Sequence, residues 1–200
     1  MLETFQTFKP TGNIRKDATS FLVQYGYATT AGHCSKVASK AKEIARHFST
    51  NERKAEIAGW LHDISAVVPN EERIGMARAN KLEVLPAEEK LPMIIHQKLS
   101  RLIAKDVFHI HDEEILSAIE CHTTLKANAS PLDKIVFVAD KIAWDQEGKP
   151  PYLRQIIEAL ETSLDKAALV YLDYLWEQRE TLPVLHPWVV EARAYLTSTG

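Results

Sequence analysis

Apolar residues recur at helical spacing along almost the whole chain, and this period constrains the fold more than any other feature. In HCSKVASKAKEIARHF, residues 33–48, Val37, Ala41, Ile44, Ala45 and Phe48 fall on one stripe. Ser49-Thr50-Asn51-Glu52 then forms an N-cap region for a helix through Ala55, Ile57, Ala58, Trp60 and Leu61, which Pro69-Asn70 ends or follows closely. Residues 70–92 are expected to hold a short helix and an irregular connection containing Pro86 and Pro92. Further helices are expected from Met93 to Val107, from His111 to His122, over 132–143, over 152–180 as one long amphipathic element, and after Pro187. TTLKANASP (123–131) reads as a loop and 145–151 as a break. Ile135 to Val138 would also suit a strand, but no partner strand is visible elsewhere, so helix is preferred. With seven glycines and no internal repeat, the chain reads as an all-α bundle, a single domain over residues 1–200.

Composition narrows the class. A chain of 200 residues, 46% hydrophobic and 26% charged, is large enough to bury a substantial core. A net charge of -3 argues against a nucleic-acid polymer or an anionic membrane as partner, while leaving room for one small phosphorylated molecule. No apolar run approaches the roughly 20 residues that span a bilayer. Two cysteines, Cys34 and Cys121, are too few for a disulfide framework, and no secretory h-region follows Met1, so the expected location is the cytoplasm. Each cysteine adjoins a histidine, His33 or His122, yet neither has C-x-x-C spacing, which favours buried small side chains over a zinc site.

The chemistry sits where aliphatic side chains would be expected. AGWLHDISAVV, residues 58–68, places His62 and Asp63 side by side in an apolar helix. His33, His96 in IIHQKL, His122 at the end of AIECH and Asp140 in VFVADKI each stand at or beside an apolar stripe, on other predicted helices. Burying so many polar groups is costly unless they share a partner, and shared coordination of cations is one solution. Four imidazoles and two carboxylates exceed the needs of one tetrahedral zinc and suit two metal ions with open positions. A carboxylate bridges two ions readily, which makes Asp63 the natural bridge. His47, His109, His111 and His186 read as ordinary core or surface residues, and the acidic start HIHDEE suits an exposed helix N-terminus.

The order H…HD…H…H…D, carried by AEIAGWLHD, IIHQKLSRLIAKDVF, DEEILSAIECHTT and LDKIVFVADKI, resembles the HD-domain phosphohydrolases and their YqeK-like branch, which includes symmetrical diadenosine tetraphosphate hydrolases. The resemblance covers residues 20–196, with a metal-binding core over 20–145 and covering helices over 152–196. It implies a first metal held by His33, His62, Asp63 and Asp140, and a second held by His96 and His122, with Asp63 bridging. It further implies iron, with manganese as the alternative, and hydrolysis of a nucleotide or dinucleoside polyphosphate by a water or hydroxide between the metals.

Departures fall on positions that bear on substrate. Thr30, Ala31 and Gly32 stand where relatives carry an arginine and an aromatic, Ala66 where many carry lysine, and Gln97 where glycine is usual. The loop after Thr123 lacks the expected glycine and methionine, and IAWDQEGK replaces I-E-P-x-R after Asp140. Lys141, Thr123 and Lys126 remain as candidate phosphate contacts, and Trp144 as a possible stacking surface. Tyr171, Tyr174 and Trp176 read as core and cover, with an exposed aromatic face there as a possible homodimer contact. The altered positions also motivate a second reading, a catalytically weak, metal-bound domain that senses a nucleotide. A di-iron oxygenase on a similar scaffold is a third.

Overall fold

The reason Ile135–Val138 imitates a strand is that all four side chains are fully buried, whichever way they point. They belong to the central helix of a computed structural model that describes residue 5, residues 7–144 and residues 148–199. Among the described residues there are eleven α-helices and no strand. They are α1 (Ile14–Gln24), α2 (Ala28–His47), α3 (Glu52–Leu61), α4 (Arg73–Ala79), α5 (Pro86–Lys90) and α6 (His96–Asp106). After these come α7 (Glu113–Glu120), α8 (Pro131–Ile142), α9 (Leu153–Leu160), α10 (Leu164–Glu177) and α11 (Pro187–Thr199). One buried hydrophobic cluster runs from Phe5 to Leu196. No described helix is long and apolar enough to cross a membrane.

Local chemistry sets the helix ends. Ser130 and Asp133 form a capping box at the start of α8, each side chain accepting from the other's backbone N–H, at 3.1 and 2.8 Å, with Pro131 at the first helical position. Asn51 caps α3 by accepting from Lys54 N, and Asp112 caps α7 by accepting from Glu114 N and Ile115 N. α2, the longest helix, packs against both α3 and α8. Gly59 makes the first of these contacts possible. A Cβ at that position would stand 2.6 Å from Ala38 Cα, so only glycine lets α3 approach α2 this closely.

Several boundaries differ from those expected. α2 starts at Ala28, which places His33 in its second turn and not at a helix start. The helix expected from Met93 begins at His96, because Pro92 opens a 3₁₀ turn over Pro92–Ile95. The long element over 152–180 is two helices. Ser163, extended at φ -158° and ψ 127°, caps α10 by accepting from Lys166 N, and α9 ends before it. α1, which the sequence pattern did not single out, is capped by Asn13. Of the expected break over 145–151, residues 145–147 lie outside the described residues, and Gly148 has φ 87°.

Candidate metal centre

His62 and Asp63 stand at the end of α3, not within it. The helix stops at Leu61, His62 forms its C-cap, and Asp63 leads into a 3₁₀ turn over Ile64–Val67. His122 likewise follows the end of α7, and His96 follows the 3₁₀ turn before α6. Helix ends leave carbonyl oxygens without an intrahelical partner. Each of these histidines uses one, donating from Nδ1 to the carbonyl three residues earlier. His62 bonds Gly59 O at 2.8 Å, His96 bonds Met93 O at 2.7 Å, and His122 bonds Ile119 O at 2.8 Å. A carbonyl only accepts, so a proton sits on each Nδ1 and each Nε2 faces inward, offering its lone pair where the ring is neutral.

Those Nε2 atoms converge with His33 from α2 and Asp140 from the last turn of α8. His33 Nε2 lies 3.3 Å from His62 Nε2 and 3.0 Å from Asp140 Oδ1, and His62 Nε2 lies 3.6 Å from the same oxygen. On the other side, His96 Nε2 and His122 Nε2 are 3.0 Å apart. Asp63 stands between the two groups. Its Oδ1 is 3.1 Å from His96 and 3.3 Å from His122, while Oδ2 is 3.4 Å from His62 and 3.9 Å from His33. All six residues singled out in the sequence therefore meet.

The charges are consistent with a place for cations. Burial alone would raise the Asp63 carboxyl, but the positive charge on His62 beside it outweighs burial and holds it well below the usual carboxylate range. Burial likewise opposes ionisation of Asp140, and the Lys141 ammonium with His33 and His62 outweighs it. His62 is pulled down by burial, yet Asp63 and Asp140 hold it well above an ordinary imidazole. Burial pushes His122 down to about 4, which keeps it neutral. The cluster thus draws positive charge onto an imidazole when no other cation is present. Nitrogen ligands about 2.1 Å from one cation stand about 3.0–3.4 Å apart at right-angle to tetrahedral geometry, and the His33–His62 and His96–His122 spacings fall in that range. His33, His62 and Asp140 form one group able to hold an ion, and His62, Asp63 and His122 another. Neither group includes a cysteine; burial raises the thiol pKa of both Cys34 and Cys121.

A cavity of about 250 Å³ opens onto the cluster, lined also by Met93, Thr123, Lys141, Trp144, Tyr152 and Tyr171. Thr123 Oγ1 lies 3.2 and 3.1 Å from the Nε2 atoms of His96 and His122. Lys141 lines the cavity but is held by Asp140 Oδ2 at 2.6 Å and His122 O at 3.2 Å, with Phe137 and Tyr171 rings 5.1 Å away. Lys126, also a candidate phosphate contact, does not line it. Its Nζ donates to Ser117 Oγ at 2.7 Å and lies 4.0 Å from Asp133, a buried carboxylate that draws it away. Tyr171, expected to serve only as core and cover, is part of the cavity wall because the break at Ser163 turns α10 back over α8. Gln97 was visible only as a departure from the family pattern. It is fully buried, accepts from Thr123 N at 3.2 Å and bonds Thr124 Oγ1, tying the loop after His122 to α6. His47, His109 and His111 are exposed and away from the cluster, and His186 is buried elsewhere.

Residues 30–145, more than half the chain, match the HD domain family. The chain belongs to the HD domain family. This HD domain is similar to a Lactococcus lactis subsp. cremoris protein named "Uncharacterized protein in pepC 5'region", at 47% identity over 76% of each chain. It is 29% identical to the Bacillus subtilis protein named "Bis(5'-nucleosyl)-tetraphosphatase, symmetrical", over 74% of this chain and 76% of that one. A crystal structure described as a "predicted HD superfamily hydrolase involved in NAD metabolism", from Clostridium acetobutylicum, superposes with a TM-score of 0.85 at 29% identity, covering 92% of this chain and 97% of that one. The present chain is an HD-family hydrolase with the all-α fold that its periodicity implies.

Proposed function

We propose that this HD domain hydrolyses a phosphoanhydride of a nucleotide or dinucleoside polyphosphate at a site for two metal ions, iron first and manganese second. One observation carries the reading: the two carboxylate oxygens of Asp63 address two different histidine pairs, His62 with His33 and His96 with His122. The Bacillus subtilis relative's name supports the substrate class. A pair of bound cations would lower the pKa of water and neutralise charge on phosphoryl oxygens, which is most of what such a reaction asks of a protein.

The chain's own residues do the rest. His33, His62, Asp63 and Asp140 would hold one ion, and His96 and His122 with Asp63 the other. The Nδ1 bonds to Gly59, Met93 and Ile119 fix the three imidazoles, so little reorganisation accompanies the reaction. Lys141, held by Asp140 and His122 O at the cavity wall, offsets the charge of Asp140. Thr123 presents a hydroxyl beside the second pair, placed to donate to a phosphate oxygen. The test is anaerobic purification with iron, metal analysis, and incubation with a panel of nucleotides and dinucleoside polyphosphates. The expected result is two metals per chain and release of ADP from diadenosine tetraphosphate. Full metal loading with no product from any member of the panel would refute the reading, and ligand-induced stabilisation without turnover would favour the nucleotide-sensing alternative.

A further inference from the structure

Arg73, the first residue of α4, is tied to the backbone of Met93, a residue of the cavity wall. Its Nη1 donates to Met93 O at 3.3 Å, the same oxygen that accepts from His96 Nδ1 at 2.7 Å, and its Nε donates to Val68 O at 3.2 Å. Met93 itself lines the cavity. The guanidinium is half-buried and close enough to Asp63 for their charges to interact. Among the described residues its bonds go to these two carbonyls, and no carboxylate pairs with it; Glu71 and Glu72, just before it in sequence, are exposed. A cation at the first position of a helix opposes the macrodipole, so helix stability does not account for an arginine here.

The other cations near the site are committed. Lys141 is held by Asp140 and His122 O, Lys126 is turned to Ser117, and position 66 is alanine. A polyphosphate chain carries more negative charge than the reacting phosphoryl group alone, and the rest needs a partner. The cavity, about 250 Å³, is below the roughly 300–1,000 Å³ that encloses a whole drug-sized ligand, so part of a nucleotide must extend over the rim. Arginine has five N–H donors in a planar fork. Two are used here, which leaves three, including both on Nη2, for phosphate oxygens.

We propose that Arg73 binds the substrate's phosphates beyond the one under attack. The proposal rests on the phosphohydrolase reading above. It is tested by titrating iron-loaded wild type, Arg73→Met and Arg73→Lys with ADP and, separately, with inorganic phosphate, by calorimetry under anaerobic conditions. Arg73→Met is expected to weaken ADP about 10- to 100-fold and leave inorganic phosphate and iron content unchanged, with Arg73→Lys between. Equal ADP affinity in wild type and Arg73→Met, or no ADP binding by wild type, would overturn the proposal. So would parallel loss of iron and of both ligands, since Arg73 would then only position His96 through Met93. Failure of the phosphohydrolase reading shows differently, as absence of turnover by wild type, and leaves the ADP and phosphate comparison readable.

Discussion

His96 Nε2 and His122 Nε2 stand 3.0 Å apart, each with its ring proton already given to a carbonyl at Nδ1. Two inward lone pairs at that distance repel unless something positive lies between them, and burial keeps His122 neutral. Asp63 Oδ1, a third acceptor, stands 3.1 and 3.3 Å from the same nitrogens. Backbone carbonyls at three separate helix ends fix the rings of His62, His96 and His122 in this arrangement.

Asp63 is the one residue whose two carboxylate oxygens face both histidine pairs, and its loss should cost more than loss of any single imidazole. Asp63→Asn keeps shape but removes the charge and replaces one acceptor oxygen with a donor. Metal content is expected to fall below that of His33→Ala, and the proposed phosphohydrolase activity to fall on the order of 100-fold or more. Element analysis and steady-state rates check this, with circular dichroism confirming retained helix. Unchanged metal content in Asp63→Asn would mean the carboxylate is not a ligand.

Gly59 couples packing to the site, since α3 meets α2 through it and its carbonyl holds His62. In Gly59→Ala the added carbon would lie 2.6 Å from Ala38 Cα and 2.8 Å from Ala38 N. Both are backbone atoms, so no rotamer change relieves the clash. Alanine gains up to about 1 kcal/mol in helix propensity, but overpacking costs about 1–3 kcal/mol and wins here because a backbone must move. Thermal unfolding should show a lower midpoint, together with weaker metal retention as His33 and His62 are pushed apart.

The parts of this molecule that the sequence made legible are those that depend on period and burial. The stripe in α2 and the apolar context of His62, His122 and Asp140 required a helical core, and the order of histidines and aspartates marked six residues that each lie within 4 Å of at least one other. What stayed hidden depends on the third dimension. Ser163 splits a continuous amphipathic pattern with no glycine or proline, because one side-chain oxygen is enough to cap a helix. Tyr171 reads as core on its stripe and becomes cavity wall only through that break. Arg73 and Gln97 gave no periodic signal at all, since their roles come from carbonyls and amides distant in sequence.

Gln97 should matter more than a surface amide. Its side chain accepts from Thr123 N and bonds Thr124 Oγ1 with both ends, and the amide is fully buried. Gln97→Ala leaves the Thr123 N–H without this acceptor, at a cost of about 1–3 kcal/mol. Because Thr123 lies beside His96 and His122, the change is expected to lower turnover as well as stability. Denaturant unfolding and steady-state rates separate the two effects; a loss of stability alone would make Gln97 purely structural.

Far from the cavity, Glu88 gives a pH signature to the fold. Its carboxylate is fully buried, accepts from Leu85 N at 2.8 Å and from Lys98 Nζ at 2.9 Å, and faces His186 Nε2 at 3.5 Å, joining α5 and α6 to the segment before α11. Burial works to raise its carboxyl, and the adjacent His186 ring with the bonds from Leu85 and Lys98 outweighs this and lowers it. A carboxyl with a lower pKa folded than unfolded adds stability that is present above the unfolded value and lost as pH falls through the folded one. Glu88→Gln removes the charge at every pH and leaves Lys98 without its anion, so at pH 7 it is expected to cost roughly 3 kcal/mol, as breaking one side of a buried pair does. Below the ordinary glutamate pKa of about 4.3 the wild type begins to lose the same advantage, so the gap between the two proteins should narrow. Urea unfolding of both at pH 7 and near pH 4 measures that gap, and a difference that stayed constant would show that the ionised pair contributes nothing to folding.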